Sequence, residues 1–327
     1  MTRRSLSGIK PTDMPHIGNY LGMIRPAIDL QDEYEAFYFV ADFHALTSTH
    51  DKEHMRASTY DATAVFLAFG LDPERSVFWR QSDVPQVCEL TWILTCMTSM
   101  GLLERAHAWK AAKDRGEAGS INAGVFTYPV LMAADILMYD SDVVPVGKDQ
   151  VQHIEMTRDM AQRFNHVFGD AFKIPAPSVR EEVQTIVGTD GQKMSKSYGN
   201  TIPVFLPSKK LRKKLMAITT DSKGLDDIKD PDTCNVMALY RLFADAGQVA
   251  DMEQRYRAGG FGYGHAKQAL YEVMEAHLAP PRERFVRLRA DEDYLEDVLQ
   301  AGATRARAVG LPVLDRVRQA AGFAGRR

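Results

Sequence analysis

Over its first 200 residues the chain alternates short apolar runs with longer amphipathic stretches, and after that it carries amphipathic stretches alone. That rhythm limits the possible folds more than any other feature. Residues 35–41 (EAFYFVA) are aromatic and apolar enough for a buried strand, 76–80 (SVFWR) for a second, and 143–146 (VVPV) for a short third. Between them, residues 54–69 and 151–164 read as helices, the latter bringing Val151, Ile154, Ala161 and Phe164 near one face. Strands separated by helices predict a parallel, doubly wound α/β sheet, because parallel neighbours need a crossover between them.

Beyond Asn200, residues 209–219, 236–246, 265–279, 281–290 and 294–308 read as helices separated by Gly, Pro and Asp. The expectation is a Rossmann-like domain over 1–199 and an all-helical domain over 200–327. The turn formers of YGNTIPVFLP at 198–207 mark the boundary. A length of 327 residues suits two domains.

Apolar residues at 45% and charged residues at 25% exclude a disordered chain. The start, MTRRSLSGIKPTD, has no apolar run behind its arginines, so no secretory leader is expected. Residues 90–103 and 121–139 are too short, or are interrupted by Pro129 and Asp135, for a membrane span. A cytoplasmic protein fits. Cys88, Cys96 and Cys234 are odd in number and form no CxxC, which predicts reduced thiols and no metal centre. A net charge of −3 gives no global attraction to nucleic acid, so a polyanion would have to meet local patches. Lys209, Lys210, Arg212, Lys213 and Lys214 form one candidate, and the six arginines of 301–327, set against Asp315 alone, form another. A solvated helix face is the simpler reading of each.

Two strings carry chemistry. Ser7-Gly8-Ile9-Lys10-Pro11 runs into Pro15-His16-Ile17-Gly18-Asn19, which reads as strand, loop and helix start, a unit that brings backbone N–H groups up to phosphate. On its own a plain glycine-containing loop explains it as well. Lys193-Met194-Ser195-Lys196-Ser197 is more specific: two lysines and two serines on a glycine-flanked loop can close over a triphosphate and stabilise departing pyrophosphate. Within 128–139 Asp135 is the sole charge in an apolar helix and shares a face with Tyr128 and Met132. A buried carboxylate must be paired or hydrogen-bonded, and a neighbouring protein group would serve as well as a ligand.

With HIGN at 16–19 and KMSKS at 193–197, the sequence resembles the class I aminoacyl-tRNA synthetases. Asn19, GVFTYPVLMAADILMY at 124–139 and DVVPVGKDQVQH at 142–153 resemble the bacterial tryptophanyl branch, and the likeness continues through YGHAK at 263–267. The resemblance implies ATP and magnesium, L-tryptophan and its tRNA as partners, a catalytic domain over 1–199 that ends in the KMSKS loop, a helical anticodon-binding domain over 200–327 with a basic C-terminal helix, and a homodimer. For that dimer the apolar stretch 84–103 is the expected contact, and no protein-held metal is implied. Lys193, Ser195, Lys196, Ser197, His16 and Asn19 would act on the phosphates. Lys10, Pro11, Thr12, Gly18, Gly147, Lys148, Asp149, Val187 and Met194 would hold the nucleotide. Asp149 would also cap the following helix in any protein. Asp135 would accept the indole N–H, with Gly8, His44, Tyr128, Met132, Val144, Val146 and Gln150 around the amino acid. Lys10 and Lys148 stand where the branch often has Gln and Glu, adding positive charge near the expected nucleotide. A tyrosyl sister enzyme and a non-catalytic tryptophan-binding relative are the competing readings.

Overall fold

The computed structural model describes residues 3–11, 14–114, 116, 119, 121–146, 151–179 and 186–324. Five parallel strands, β1 (Arg4–Ile9), β2 (Glu35–Val40), β3 (Val77–Arg80), β4 (Val143–Val146) and β5 (Ala176–Val179), form one sheet in the order β3-β2-β1-β4-β5. All three strands expected from apolar runs are present. β2 is buried from Ala36 to Val40 because both its faces are covered. On one face Tyr38 meets Phe66 of the Lys52–Ala68 helix, with ring centroids 6.3 Å apart. On the other, Phe39 stacks on Trp79 at 5.3 Å, and Trp79 meets Tyr139 edge-on at 5.0 Å.

The strand order turns at β1: β2 and β3 lie to one side of it, β4 and β5 to the other. Doubly wound sheets bind ligands outside the carboxyl ends of their strands at such a reversal. Register aligns those ends, since Ile9 pairs with Val40 and Val40 with Arg80. Lys10, Asp42 and Gln81 therefore leave the sheet at the same edge.

The chain divides into two compact units, one made of Met1–Asp13, Pro26–Glu181 and Leu288–Arg327, the other of Met14–Arg25 and Glu182–Arg287. A single break near 199–207 does not describe them. The segment 14–25 is held in the second unit by backbone bonds from Ile17 N to the Ile202 carbonyl at 2.8 Å and from Val204 N to the Pro15 carbonyl at 3.0 Å. The C-terminal helix Glu292–Ala320 belongs to the first unit, where it packs on β3. Gly302 makes that packing possible: a Cβ there would stand 1.7 Å from the Phe78 carbonyl oxygen.

In the second unit the helices Ser208–Met216, Asn235–Tyr240, Ala246–Ala258 and most of Tyr263–Arg289 bury Leu211, Leu215, Met237, Met252, Tyr256, Leu270 and Met274. The sequence predicted a break at the proline pair, yet Tyr263–Arg289 runs through Pro280 and Pro281. Each proline removes an intrahelical bond. Leu270, Met274, Leu278 and Pro281 bury one continuous stripe across the site, and Arg282 reaches back to Glu275 with an Nη1–Oε2 distance of 3.0 Å. Among the described residues no helix is long and apolar enough to cross a membrane.

Candidate active site

In the first unit the candidate residues gather at the carboxyl edge of the sheet. Gly8 sits near the end of β1, where a Cβ would lie 2.5 Å from the Phe39 ring, so packing alone demands glycine there. Just past β1, the Lys10 ammonium donates to Thr47 Oγ1 at 3.0 Å and Ser48 Oγ at 2.9 Å. Burial lowers its pKa from the ordinary lysine value. Pro11 follows, buried. After β2 the short helix Asp42–Ala45 presents His44, and after β3 the chain presents Gln81.

These two side chains converge on Asp135, which is 3% exposed in the helix Ala123–Leu137. Gln81 Nε2 donates to both carboxylate oxygens at 2.8 Å, and His44 Nε2 lies 3.0 Å from Oδ2. Burial raises the Asp135 pKa above the usual carboxylate range, opposed by the bonds from His44 and Gln81. A carboxylate offers about four lone-pair sites, so three internal contacts leave room for roughly one more donor. The protein-group alternative raised by the sequence is thus realised: Asp135 is partnered from within the chain. Around it, Tyr128 is half-buried, its hydroxyl 2.6 Å from His153 Nε2 and its ring 6.4 Å from that of His44, and burial raises its pKa. Met132 packs partly buried against the core to which Val144 belongs. Thr12, Gly147, Lys148, Asp149 and Gln150 lie outside the described residues, as does the side chain of Val146.

The second unit brings the two sequence strings together. His16 caps the helical turn Ile17–Asn19: its Nδ1 accepts from Asn19 N at 3.3 Å, while Asn19 Oδ1 accepts from His16 N at 3.1 Å. A Cβ on Gly18 would lie 2.9 Å from the His16 ring and 3.7 Å from Met194 Cβ, so Met194 of the KMSKS loop abuts the HIGN turn. Burial, then the nearby charge of Lys196, lower the His16 pKa. Val187 bridges Lys193 across the loop's base, and Met194 N donates to the Ile186 carbonyl at 2.8 Å. Met194 is buried, whereas Lys193, Lys196 and Ser197 are exposed and Ser195 Oγ accepts from Ser197 N at 3.3 Å.

Two residues that the sequence did not single out organise these halves. Gln81 is one. Its position after a strand end was the available signal. Asn200 is the other. It is buried beneath the KMSKS loop, with Nδ2 donating to Asp190 Oδ1 at 2.7 Å and to the Lys193 carbonyl at 3.1 Å, and Oδ1 accepting from Ser195 N at 2.8 Å. A turn-forming asparagine gave no hint of that load. The described C-terminal arginines, considered as a phosphate patch, are engaged inside the first unit, while Arg326 and Arg327 lie outside the described residues. Arg305 donates to the Pro73 and Ser76 carbonyls, Arg307 to the Asp83 carbonyl, and Arg316 to the Ala171 carbonyl and Asp140.

The model of the family described as tRNA synthetases class I (W and Y) matches residues 2–279. A tryptophan–tRNA ligase of Rhodopirellula baltica is 52% identical over 320 residues, covering 98% of this chain and 99% of that protein. One from Pseudomonas aeruginosa is 48% identical over 334 residues, 99% of this chain and 74% of that protein. A crystal structure of tryptophanyl-tRNA synthetase from Campylobacter jejuni, complexed with ADP and tryptophan, superposes with a TM-score of 0.92 at 44% identity, covering 98% of this chain and 100% of that one. With the HIGN and KMSKS strings joined in one unit, and the parallel sheet and the helix carrying Asp135 in the other, this chain belongs to the tryptophan and tyrosine family of class I tRNA synthetases.

Proposed function

We propose that this chain activates L-tryptophan with ATP, releasing pyrophosphate, and transfers the tryptophanyl group to the terminal adenosine of its tRNA. The observation that carries the reading is the packing of Met194 against Gly18, with the Lys196 charge near enough to act on His16, although the two strings are separated by more than 170 residues in sequence. A pure tryptophan binder has no use for it. Relatives 45–52% identical over nearly the whole chain are tryptophan enzymes, which favours tryptophan over tyrosine.

The reaction needs no side-chain nucleophile. The tryptophan carboxylate attacks the α-phosphorus, the bond to pyrophosphate breaks, and a ribose hydroxyl of the tRNA then displaces AMP from the adenylate. Lys193, Lys196, Ser195 and Ser197 supply charge and hydroxyl donors to the phosphates, which gain negative charge as pyrophosphate departs. His16, Gly18 and Asn19 support the nucleotide, with Met194 and Val187 shaping the loop. Lys10, Pro11, Thr12, Gly147, Lys148 and Asp149 form the rest of its cradle. Asp135 accepts the indole N–H at the site that Gln81 and His44 leave open, and Gly8, Tyr128, Met132, Val144, Val146 and Gln150 complete the amino-acid pocket. Among the described residues no group of three or more His, Cys, Asp or Glu side chains could hold a metal. Magnesium accompanies the phosphates. A homodimer is part of the same proposal, and it is supported by the Gln86–Met97 helix, where Trp92 is 70% exposed beside exposed Cys88 and Cys96.

Tryptophan-dependent exchange of pyrophosphate into ATP tests the reading, with tyrosine and phenylalanine as controls and Asp135→Leu as the variant. Exchange should be strong with tryptophan alone, and the variant should lose it while still binding ATP. No exchange with tryptophan, or exchange driven better by tyrosine, would overturn the assignment.

A further inference from the structure

We infer that the lysine face of the Ser208–Met216 helix docks the phosphate backbone of tRNA, an inference that rests on the reading of the chain as a synthetase. The helix is two-sided. Leu211 and Leu215 are buried, while Lys209, Lys210 and Lys213 are exposed and Lys214 is half-buried. Its sequence, SKKLRKKLM, contains no acid. None of these four ammonium groups has an ion pair or hydrogen bond among the described residues, and Arg212 alone is tied down, donating to Gln268 Oε1 at 2.9 Å. The C-terminal arginines present the opposite case, since Arg305, Arg307 and Arg316 are held by carbonyls of the first unit. Among the described residues, the C-terminal arginines therefore act as internal glue, whereas the four lysines of the Ser208–Met216 helix are free charge.

Free charge of this kind works against the fold. Lys209 with Lys213 and Lys210 with Lys214 are like-charged pairs four residues apart, an arrangement that destabilises a helix. The helix is nonetheless fixed in place. Ser208 Oγ lies 2.7 Å from Tyr271 Oη at one end, and Lys267 Nζ donates to the Met216 carbonyl at 3.1 Å at the other. A rigid platform that holds four uncompensated cations, in a chain of net charge −3, suits an external polyanion. Lys209 to Lys214 span about 7 Å of helix axis, so the row exceeds what one phosphate group would pair and matches a run of them.

The test is binding of a tRNA transcript with the tryptophan anticodon to the full chain and to a Lys209→Gln/Lys210→Gln/Lys213→Gln variant, over a fourfold range of salt. Each lost phosphate contact removes roughly 0.7 to 0.9 from the slope of log affinity against log salt. Three contacts should therefore make the variant's affinity fall on the order of 20- to 40-fold less than the wild type's across that range, with affinity weaker throughout. Pyrophosphate exchange should stay within about twofold of wild type, because no residue of the activation site is touched. An unchanged slope and affinity would overturn the inference and leave the lysines a solvated face. Absent exchange in the wild type would count against the synthetase reading instead, and the binding slope is read without it.

Discussion

Replacing Asn200 with Ala should disable the KMSKS loop while leaving the amino-acid pocket intact. The side chain accepts from Ser195 N at 2.8 Å and donates to the Lys193 carbonyl at 3.1 Å, so it clamps the backbone on both sides of Met194. Each of these bonds contributes about 1 kcal/mol to the loop's order. Their loss, about 2 kcal/mol, lowers the ordering equilibrium constant roughly 30-fold, and the ordered fraction by about 15-fold if the loop is only just held. The third contact, to exposed Asp190, holds that carboxyl below its ordinary pKa, and water replaces it in the variant. Single-turnover adenylate formation should slow by about ten- to thirty-fold. Tryptophan affinity should change less than about twofold, because Asp135 and its neighbours belong to the other unit. Asn200→Asp keeps the acceptor but sets a second carboxylate against Asp190, so it should not rescue the rate at neutral pH. A folded Asn200→Ala protein that forms adenylate at the wild-type rate, or loses tryptophan affinity in parallel, would refute the clamp.

Lys193→Ala or Lys196→Ala should slow adenylate formation by two orders of magnitude or so with tryptophan affinity retained, since the contact strengthens as charge moves to pyrophosphate. Collapse of affinity at an undiminished single-turnover rate would contradict that role. Gly302→Ala should destabilise the protein by about 2 to 3 kcal/mol, although Ala is ordinarily about 1 kcal/mol better than Gly within a helix. A raised melting temperature would show that the 1.7 Å approach to the Phe78 carbonyl does not constrain the helix. Burial holds the His16 pKa below its ordinary 6.5, so the unfolded chain binds this proton more readily than the native one. The stability contributed by His16 should therefore be flat above that value and fall as pH drops through the folded pKa. Denaturation curves of wild type and His16→Gln between about pH 5 and pH 7.5 should diverge at the neutral end and converge on acidification. Divergence in the opposite sense would refute it.

What the sequence disclosed follows from how locally each feature is encoded. The runs at 35–41, 76–80 and 143–146 are continuous apolar segments, and a strand buried on both faces needs little more. β5, Ala176–Val179, gives no strand signal of its own because APSV is short and carries Pro177, and only an edge strand tolerates that residue. Pro280 and Pro281 suggested two helices because local propensity is blind to the buried stripe and the Arg282–Glu275 pair that carry the chain through. Asp135 stood out as a lone charge in an apolar helix, whereas Gln81 is an ordinary amide until the fold aims it at both oxygens of that carboxylate. The arginines after residue 301 were legible as charge, but which carbonyls receive them depends on a helix returning to residues 73–83.

That return shapes how the chain matures as it is made. β3 is an edge strand of the sheet, and the helix that covers it begins at Glu292, more than 100 residues after β5 ends at Val179. At ordinary translation speeds the interval is on the order of ten seconds. During it the strands have left the ribosome while β3 lacks its cover, a state in which an open edge invites pairing with another chain. Apart from Met14–Arg25, the second unit is encoded inside that interval, and all its residues are made before the first unit is whole. A nascent chain cut short before residue 292 therefore keeps the strands but lacks the helix that covers β3, and its edge stays open to other chains.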